Sequence, residues 1–268
     1  MTPPSPSGPP ASGRAPRPSA LVRTRARRRT LRLGLVLVLA ATTGVALARA
    51  GGSATEPFGD GRTAHGAGAG ERRQPTAWPE AGSASFTTAT GESAVHGTDG
   101  PLWRYRVAVE RGTGQDPAAF AATVDEVLTD QRSWIASETL RVQRVATAAE
   151  ADFTVYLATP DTSERMCAEG GLSTEGYTSC RLPGQVIVNL ARWLEAVPDY
   201  GAPLQVYRAY VINHEVGHEL GEEHQTCPGP GEPAPVMQQQ TYGLDGCVAN
   251  AWPYVDGSWY DGDLVPGT

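Results

Sequence analysis

Three of the chain's five histidines fall within one short run, His214-Glu215-Val216-Gly217-His218-Glu219-Leu220-Gly221-Glu222-Glu223-His224. Imidazoles four residues apart on an α-helix lie on one face, close enough to share a cation. Gly221 can end the helix in a left-handed turn that a Cβ would penalise, which redirects the chain and brings His224 to the same ion. His214, His218 and His224 are therefore the expected ligands of one Zn²⁺. A tetrahedral zinc with three protein ligands keeps one position open for water and lowers that water's pKa to about 7, which separates a catalytic site from a closed structural one. Glu215 sits about 100° round the helix from His214, where its carboxylate reaches the water without ligating the metal. That is the place of a general base. Two other uses of the same residues stay open: a non-catalytic zinc module that binds material of the cell envelope, and a zinc hydrolase of a non-peptide amide.

A metal set of this kind needs a helix held from behind. Leu204, Tyr207, Val211, His214 and His218 are spaced 3, 4, 3, 4, and Ala209, Ile212, Val216 and Leu220 form a second apolar line. The pattern predicts a helix opening at Pro203 and buried on more than one side. Upstream, Trp103, Tyr105, Val107 and Val109 alternate with Arg104, Arg106 and Ala108, the mark of a half-buried strand. Asp116-Pro117 reads as an N-cap with proline at N1, opening a helix through Phe120, Val124, Val127, Gln131 and Trp134. Further strands are expected near Leu140–Val145, Phe153–Leu157 and Val186–Leu190, which together give an α+β domain over residues 101–268. The four cysteines pair in three formal ways, and proximity favours Cys167–Cys180 and Cys227–Cys247, each worth roughly 3 kcal/mol. Cys227, three residues after His224, is otherwise placed to ligate metal.

Charge divides the chain. All 22 basic residues are arginine, and nine of them lie in the first 50 residues, which hold no Asp or Glu; 13 arginines face 29 acids in the remainder. An acidic body argues against nucleic acid as a partner. The Arg-rich segment 1–32 precedes an uncharged apolar run, 33–48, that is either a membrane anchor with its N-terminus inside or a signal cleaved near Ala48. Arg28-Arg29 loosely fits a twin-arginine signal as well as a plain positive flank. Either way the body is expected outside the cytoplasm, membrane-tethered through residues 33–48 or secreted. Residues 49–100, rich in Gly, Ala, Ser, Thr and Pro, read as a flexible linker in which His65 and His96 are solvated.

The spacing of His214, Glu215, His218, Gly221 and His224 resembles the signature of the metzincin zinc peptidases, in which a Met-turn follows. Pro235-Val236-Met237 is similar to that turn, whose methionine lies beneath the metal as a soft apolar floor. The resemblance covers residues 214–237. It implies a metzincin-like fold, with a small mixed β-sheet, an active-site helix and an irregular, disulfide-braced C-terminal subdomain. It also implies one Zn²⁺ and a peptide or protein substrate in the cell envelope or outside the cell. Some metzincins place a tyrosine two residues after the methionine, against zinc or the oxyanion. Gln239 holds that place here, and Tyr242 is the nearest candidate for an oxyanion donor or fifth ligand. By the same resemblance, Val186–Leu190 is either a cleft-lining edge strand that pairs with an extended peptide or an ordinary sheet strand. Trp252, Tyr254, Trp259 and Tyr260 either border the cleft or pack over the core. Glu222 and Glu223 stand where family members often carry an apolar residue, as solvated acids or as groups favouring a basic substrate. The stretch from residue 100 to 255, with Cys227-Pro228-Gly229 and Gly243-Leu244-Asp245-Gly246-Cys247, is also similar to an uncharacterised family of exported bacterial proteins known only as a domain of unknown function.

Overall fold

The computed structural model describes residues 78–266. The Arg-rich segment 1–32, the apolar run 33–48 and His65 lie outside them, and among the described residues no helix is long and apolar enough to cross a membrane.

A mixed sheet of six strands organises the domain. β1 (Phe86–Thr88) lies antiparallel to β2 (Leu102–Glu110), whose alternating residues point Tyr105, Val107 and Val109 into the larger core. β3 (Arg141–Arg144) and β4 (Phe153–Ala158) both run parallel to β2, one on each side. β5 (Cys180–Leu182) is an antiparallel edge strand on β6 (Gln185–Asn189), which is itself parallel to β4. The central strands β4 and β6 are apolar on both faces, because helices cover both. On one face lie α1 (Pro117–Thr129), α3 (Leu190–Glu195) and α4 (Leu204–Glu219), which share the larger core with Phe153, Val155, Leu157, Val186 and Val188. On the other lies α2 (Pro160–Ala168), which closes a smaller core of Ala158, Cys167, Cys180, Leu182 and Ile187. After α4 the chain is largely irregular, with one short hairpin, β7 (Tyr254–Val255) and β8 (Ser258–Trp259). The architecture is thus α+β on a mixed sheet.

Three expectations are corrected. The linker expected over 49–100 does not extend through residues 78–100, because β1 pairs with β2 and His96 bridges to Val142 through its backbone. A three-residue strand amid glycine and serine carries too little pattern to show. The first helix does not run on to Trp134. It ends at Thr129, where Asp130 turns extended (φ −66°, ψ 143°), and Trp134 is buried from a separate 3₁₀ turn, Trp134–Ser137. The strand expected at Val186–Leu190 ends at Asn189, whose side chain caps α3 by accepting from the amides of Ala191 and Arg192. Of the two roles open to it, that strand takes the ordinary one: it is interior, and the edge belongs to β5.

Both cysteine pairs form, Cys167–Cys180 and Cys227–Cys247, leaving no free thiol. Cys227 is therefore not a metal ligand. Two structural disulfides are consistent with an oxidising compartment outside the cytoplasm.

Candidate metal centre

α4 positions the first two imidazoles and the carboxylate, and it is held on most of its circumference: Tyr207 and every residue from Ala209 to Gly217 is buried. A polar clamp fixes its axial position. Asn213, wholly buried, accepts from the Ser133 hydroxyl at 2.8 Å and donates to the Ala251 carbonyl at 2.9 Å, and its own carbonyl receives the Trp134 indole N–H at 3.0 Å. Each of these buried polar groups is satisfied, so the helix cannot slide without orphaning one.

The helix ends as its sequence requires. The amide of Gly221 donates to His218 O at 3.1 Å and that of Glu222 to Gly217 O at 2.9 Å, with Gly221 left-handed at φ +96°. This is a Schellman closure, and glycine takes it without the Cβ penalty. The turn carries the chain back so that His224 meets the helix pair. Ligand atoms of His214, His218 and His224 all lie within 4.8 Å of one another, and Nε2 of His218 and His224 are 3.1 Å apart. Nitrogens bound to one tetrahedral zinc at ~2.0–2.1 Å are roughly 3.4 Å apart, so the cluster has the size of such a site.

The tautomers follow from the hydrogen bonds. His214 Nδ1 lies 2.8 Å from Val236 O and His218 Nδ1 2.9 Å from Glu222 O. A carbonyl only accepts, so both Nδ1 atoms carry protons and both Nε2 atoms present lone pairs. Burial, reinforced by mutual repulsion, holds the rings neutral: His214 titrates well below its ordinary range and His224 at about 4. His218 is lowered too, by burial first and then by the positive charge of Arg181. Neutral imidazoles with converging lone pairs are the donor set a divalent cation needs, so the residues fit a zinc ion.

Glu215 is buried beside them, and burial alone pushes its carboxyl up to about 8. A cation among the imidazoles would stabilise the carboxylate and draw this value down. Met237, wholly buried, follows Val236, the residue whose carbonyl meets His214. Its sulfur packs on Gly217, where a Cβ would fall 2.5 Å from Met237 Sδ and 2.6 Å from Trp134 Cζ2. Glycine is thus required at 217 for close approach rather than for backbone conformation.

Three tyrosines of the larger core tether the segment after Met237. Tyr210 receives the Gln240 amide at 2.9 Å and donates to Gln238 O at 3.1 Å, Tyr200 donates to Gln240 Oε1 at 2.9 Å, and Tyr207 meets the Thr241 hydroxyl at 2.9 Å. His224 is steadied from the other side, where residues near the C-terminus form a short antiparallel clasp: Thr226 N donates to Asp263 O at 2.8 Å and Val265 N to His224 O at 2.9 Å.

All three histidines and Glu215 open into one cleft of about 390 Å³, walled also by Leu172, Ser179, Arg181, Tyr210, Glu222, Gln239 and Tyr242. Tyr242 stands at the rim, 64% exposed, its ring 6.2 Å from that of Tyr177. Glu223 is exposed and outside the lining. Tyr254 is buried in the short hairpin and Trp259 packs against the core, so these aromatics cover the core rather than border the cleft. Sequence alone assigns no site role to Asn213, Gly217 or Arg181, and Trp134 is read there only as part of the first helix's stripe. Gly217, adjoining His218 in the motif, was the one with a visible signal, since a glycine inside a helix usually marks a close approach.

The fold and site thus define a disulfide-braced α+β domain with a three-histidine cluster opening into a cleft. Residues 73–251 match the model of the DUF3152 family, described as proteins of unknown function, and the chain belongs to that family. No curated protein and no solved structure matches it.

Proposed function

We propose that the chain is an exported zinc-dependent endopeptidase of metzincin-like architecture. The observation that carries this reading is a buried carboxyl, Glu215, opening into the same cleft as three neutral imidazoles whose ligand atoms lie within 4.8 Å of one another. The Met237 floor under Gly217, the glycine turn at 221 and an antiparallel edge strand beside the cleft support the metzincin likeness.

His214, His218 and His224 would hold the ion. Zinc at such a site supplies Lewis acidity toward a carbonyl oxygen and lowers the pKa of water. Glu215 takes a proton from the attacking water and returns it to the leaving amine. Its position, one residue from His214 and walled from bulk solvent, keeps the proton within the cleft. Val236 O and Glu222 O hold the rings of His214 and His218 in the ligating tautomer. Tyr210, which also lines the cleft, spends its hydroxyl proton on Gln238 O, so Tyr242 at the rim is the lining phenol that would donate toward an oxyanion.

Glu215→Ala is expected to keep the fold and one zinc per chain but to lose peptide turnover, whereas His218→Ala loses zinc. Metal content together with cleavage of a diverse peptide mixture, with and without chelator, tests this. Undiminished turnover by Glu215→Ala refutes the mechanism. A zinc-loaded wild type that cleaves no peptide leaves a zinc-containing envelope-binding module or a hydrolase of a non-peptide amide.

A further inference from the structure

Arg181 is the one basic residue among those lining the cleft. It lies on the edge strand β5, and its Nε donates to Glu219, the residue after His218. Glu219 is in turn held by the amide of Gly184, 3.2 Å from each carboxylate oxygen. This chain of contacts fixes the guanidinium against the C-terminal turn of α4. It uses one of five N–H donors; Nη1 and Nη2 have no acceptor in hydrogen-bond range among the described residues. The side chain is 27% exposed and its partner Glu219 only 7%, so the exposed part of the pair faces the cleft. A planar fork anchored at Nε, with both terminal nitrogens open, is the geometry that accepts a carboxylate through two parallel bonds. Glu219 offsets the charge of Arg181 but does not occupy those donors.

We propose that Arg181 is a specificity-determining residue that binds a carboxylate of the substrate close to the scissile bond. This rests on the peptidase reading and names its substrate class: peptides with an acidic side chain, or a terminal carboxylate, near the point of cleavage. Glu222, also in the lining, is the group that would favour the opposite choice, a basic side chain.

The test uses the full-length, zinc-loaded protein and two matched peptide pairs. One pair differs only by Glu or Gln within three residues of the cleaved bond, the other only by a free or amidated C-terminus. kcat/KM is measured on the wild type, and calorimetric binding of the same peptides on zinc-loaded Glu215→Gln. The carboxylate member of one pair is expected to be favoured about 10- to 100-fold, the range of a charge-assisted hydrogen bond, and which pair responds identifies the source of the carboxylate. Arg181→Gln should bring that ratio close to one with zinc stoichiometry intact. Equal use of both members, a preference for basic peptides, or a ratio unchanged in Arg181→Gln overturns the proposal. Should Arg181→Gln not fold, Arg181→Lys retains the charge without the fork and should shrink the ratio, and the wild-type ratio decides by itself. Hydrolysis without a carboxylate preference refutes the role of Arg181 and spares the peptidase reading. Arg181-dependent binding of the carboxylate peptide without hydrolysis does the reverse, and absence of both overturns both.

Discussion

Alanine at position 217 sets two effects against each other. In an ordinary helix interior, Gly→Ala stabilises by about 1 kcal/mol. Here the added methyl would stand 2.5 Å from Met237 Sδ and 2.6 and 3.1 Å from two atoms of the Trp134 ring. Met237 can swing aside, but Trp134 is 4% exposed and held by its indole bond to Asn213 O. Overpacking against a rigid wall costs about 1–3 kcal/mol, which less the propensity gain of about 1 kcal/mol leaves Gly217→Ala destabilising by up to about 2 kcal/mol. Displacing Met237 also drags the adjoining Val236 carbonyl away from His214 Nδ1, and loss of such a supporting partner lowers metal affinity about 10- to 100-fold. Urea unfolding of the metal-free protein measures the first effect, and zinc competition with a chromogenic chelator the second. Met237→Ala alone should cost about 2–5 kcal/mol. In the double variant the new methyl enters the space left by the thioether, so the two costs should fall short of additivity by at least about 0.5 kcal/mol. A Gly217→Ala protein that is stabilised, binds zinc as the wild type does and adds strictly to Met237→Ala would refute the packing argument.

Two other substitutions probe supports away from the cleft. A Cβ at Gly262 would collide with the backbone carbonyl of Thr226, so Gly262→Ala should lift residues 263–265 from their clasp on His224. With two backbone hydrogen bonds lost at about 0.5–1.5 kcal/mol each, zinc affinity should fall roughly 10-fold while circular dichroism stays unchanged. Glu110 is 1% exposed, and its carboxylate accepts from Ala84 N at 2.7 Å, Thr159 N at 2.8 Å and the Thr162 hydroxyl at 2.8 Å. Glu110→Gln puts an amide donor among donors and should lower the unfolding free energy by about 2–3 kcal/mol in urea, with zinc affinity little altered.

The metal helix was legible because its two constraints share one period. Core residues and ligands both recur at three and four, so Leu204, Tyr207, Val211, His214 and His218 form one line whose character changes along its length. The central strands were legible for a similar reason, since Phe153, Val155 and Leu157 alternate cleanly. α2 was not, because its buried positions are Pro160, Thr162, Ser163 and Cys167, a set without an apolar stripe. β1 and β5 hold three residues each, too few to show a period. The choice between edge and interior for Val186–Leu190 thus stayed open, although its continuous Val186-Ile187-Val188 run is the sign of an interior position. Asn213 looks like an unremarkable polar residue in a helix until Ser133 and Ala251, both distant in sequence, come into contact with it. Long-range polar pairing of this kind leaves no periodic trace.

The cores on the two faces of the sheet are unequal, and the cleft takes lining from each, Tyr210 from the larger and Cys180 from the smaller. The helix α4 that carries His214, Glu215 and His218 packs on the large core, whereas β5, which carries Arg181, packs through Cys180 and Leu182 on a core of five small or medium side chains with the Cys167–Cys180 bond. Amide exchange should accordingly divide the site, with α4 opening only in global unfolding and β5 opening in smaller local fluctuations. The helix bearing the histidines is then a fixed reference, and the β5 wall of the cleft is the part able to yield. Because the cross-link limits how far that wall can travel, on the peptidase reading proposed above the breadth of peptides admitted would depend on whether this one cysteine pair is joined.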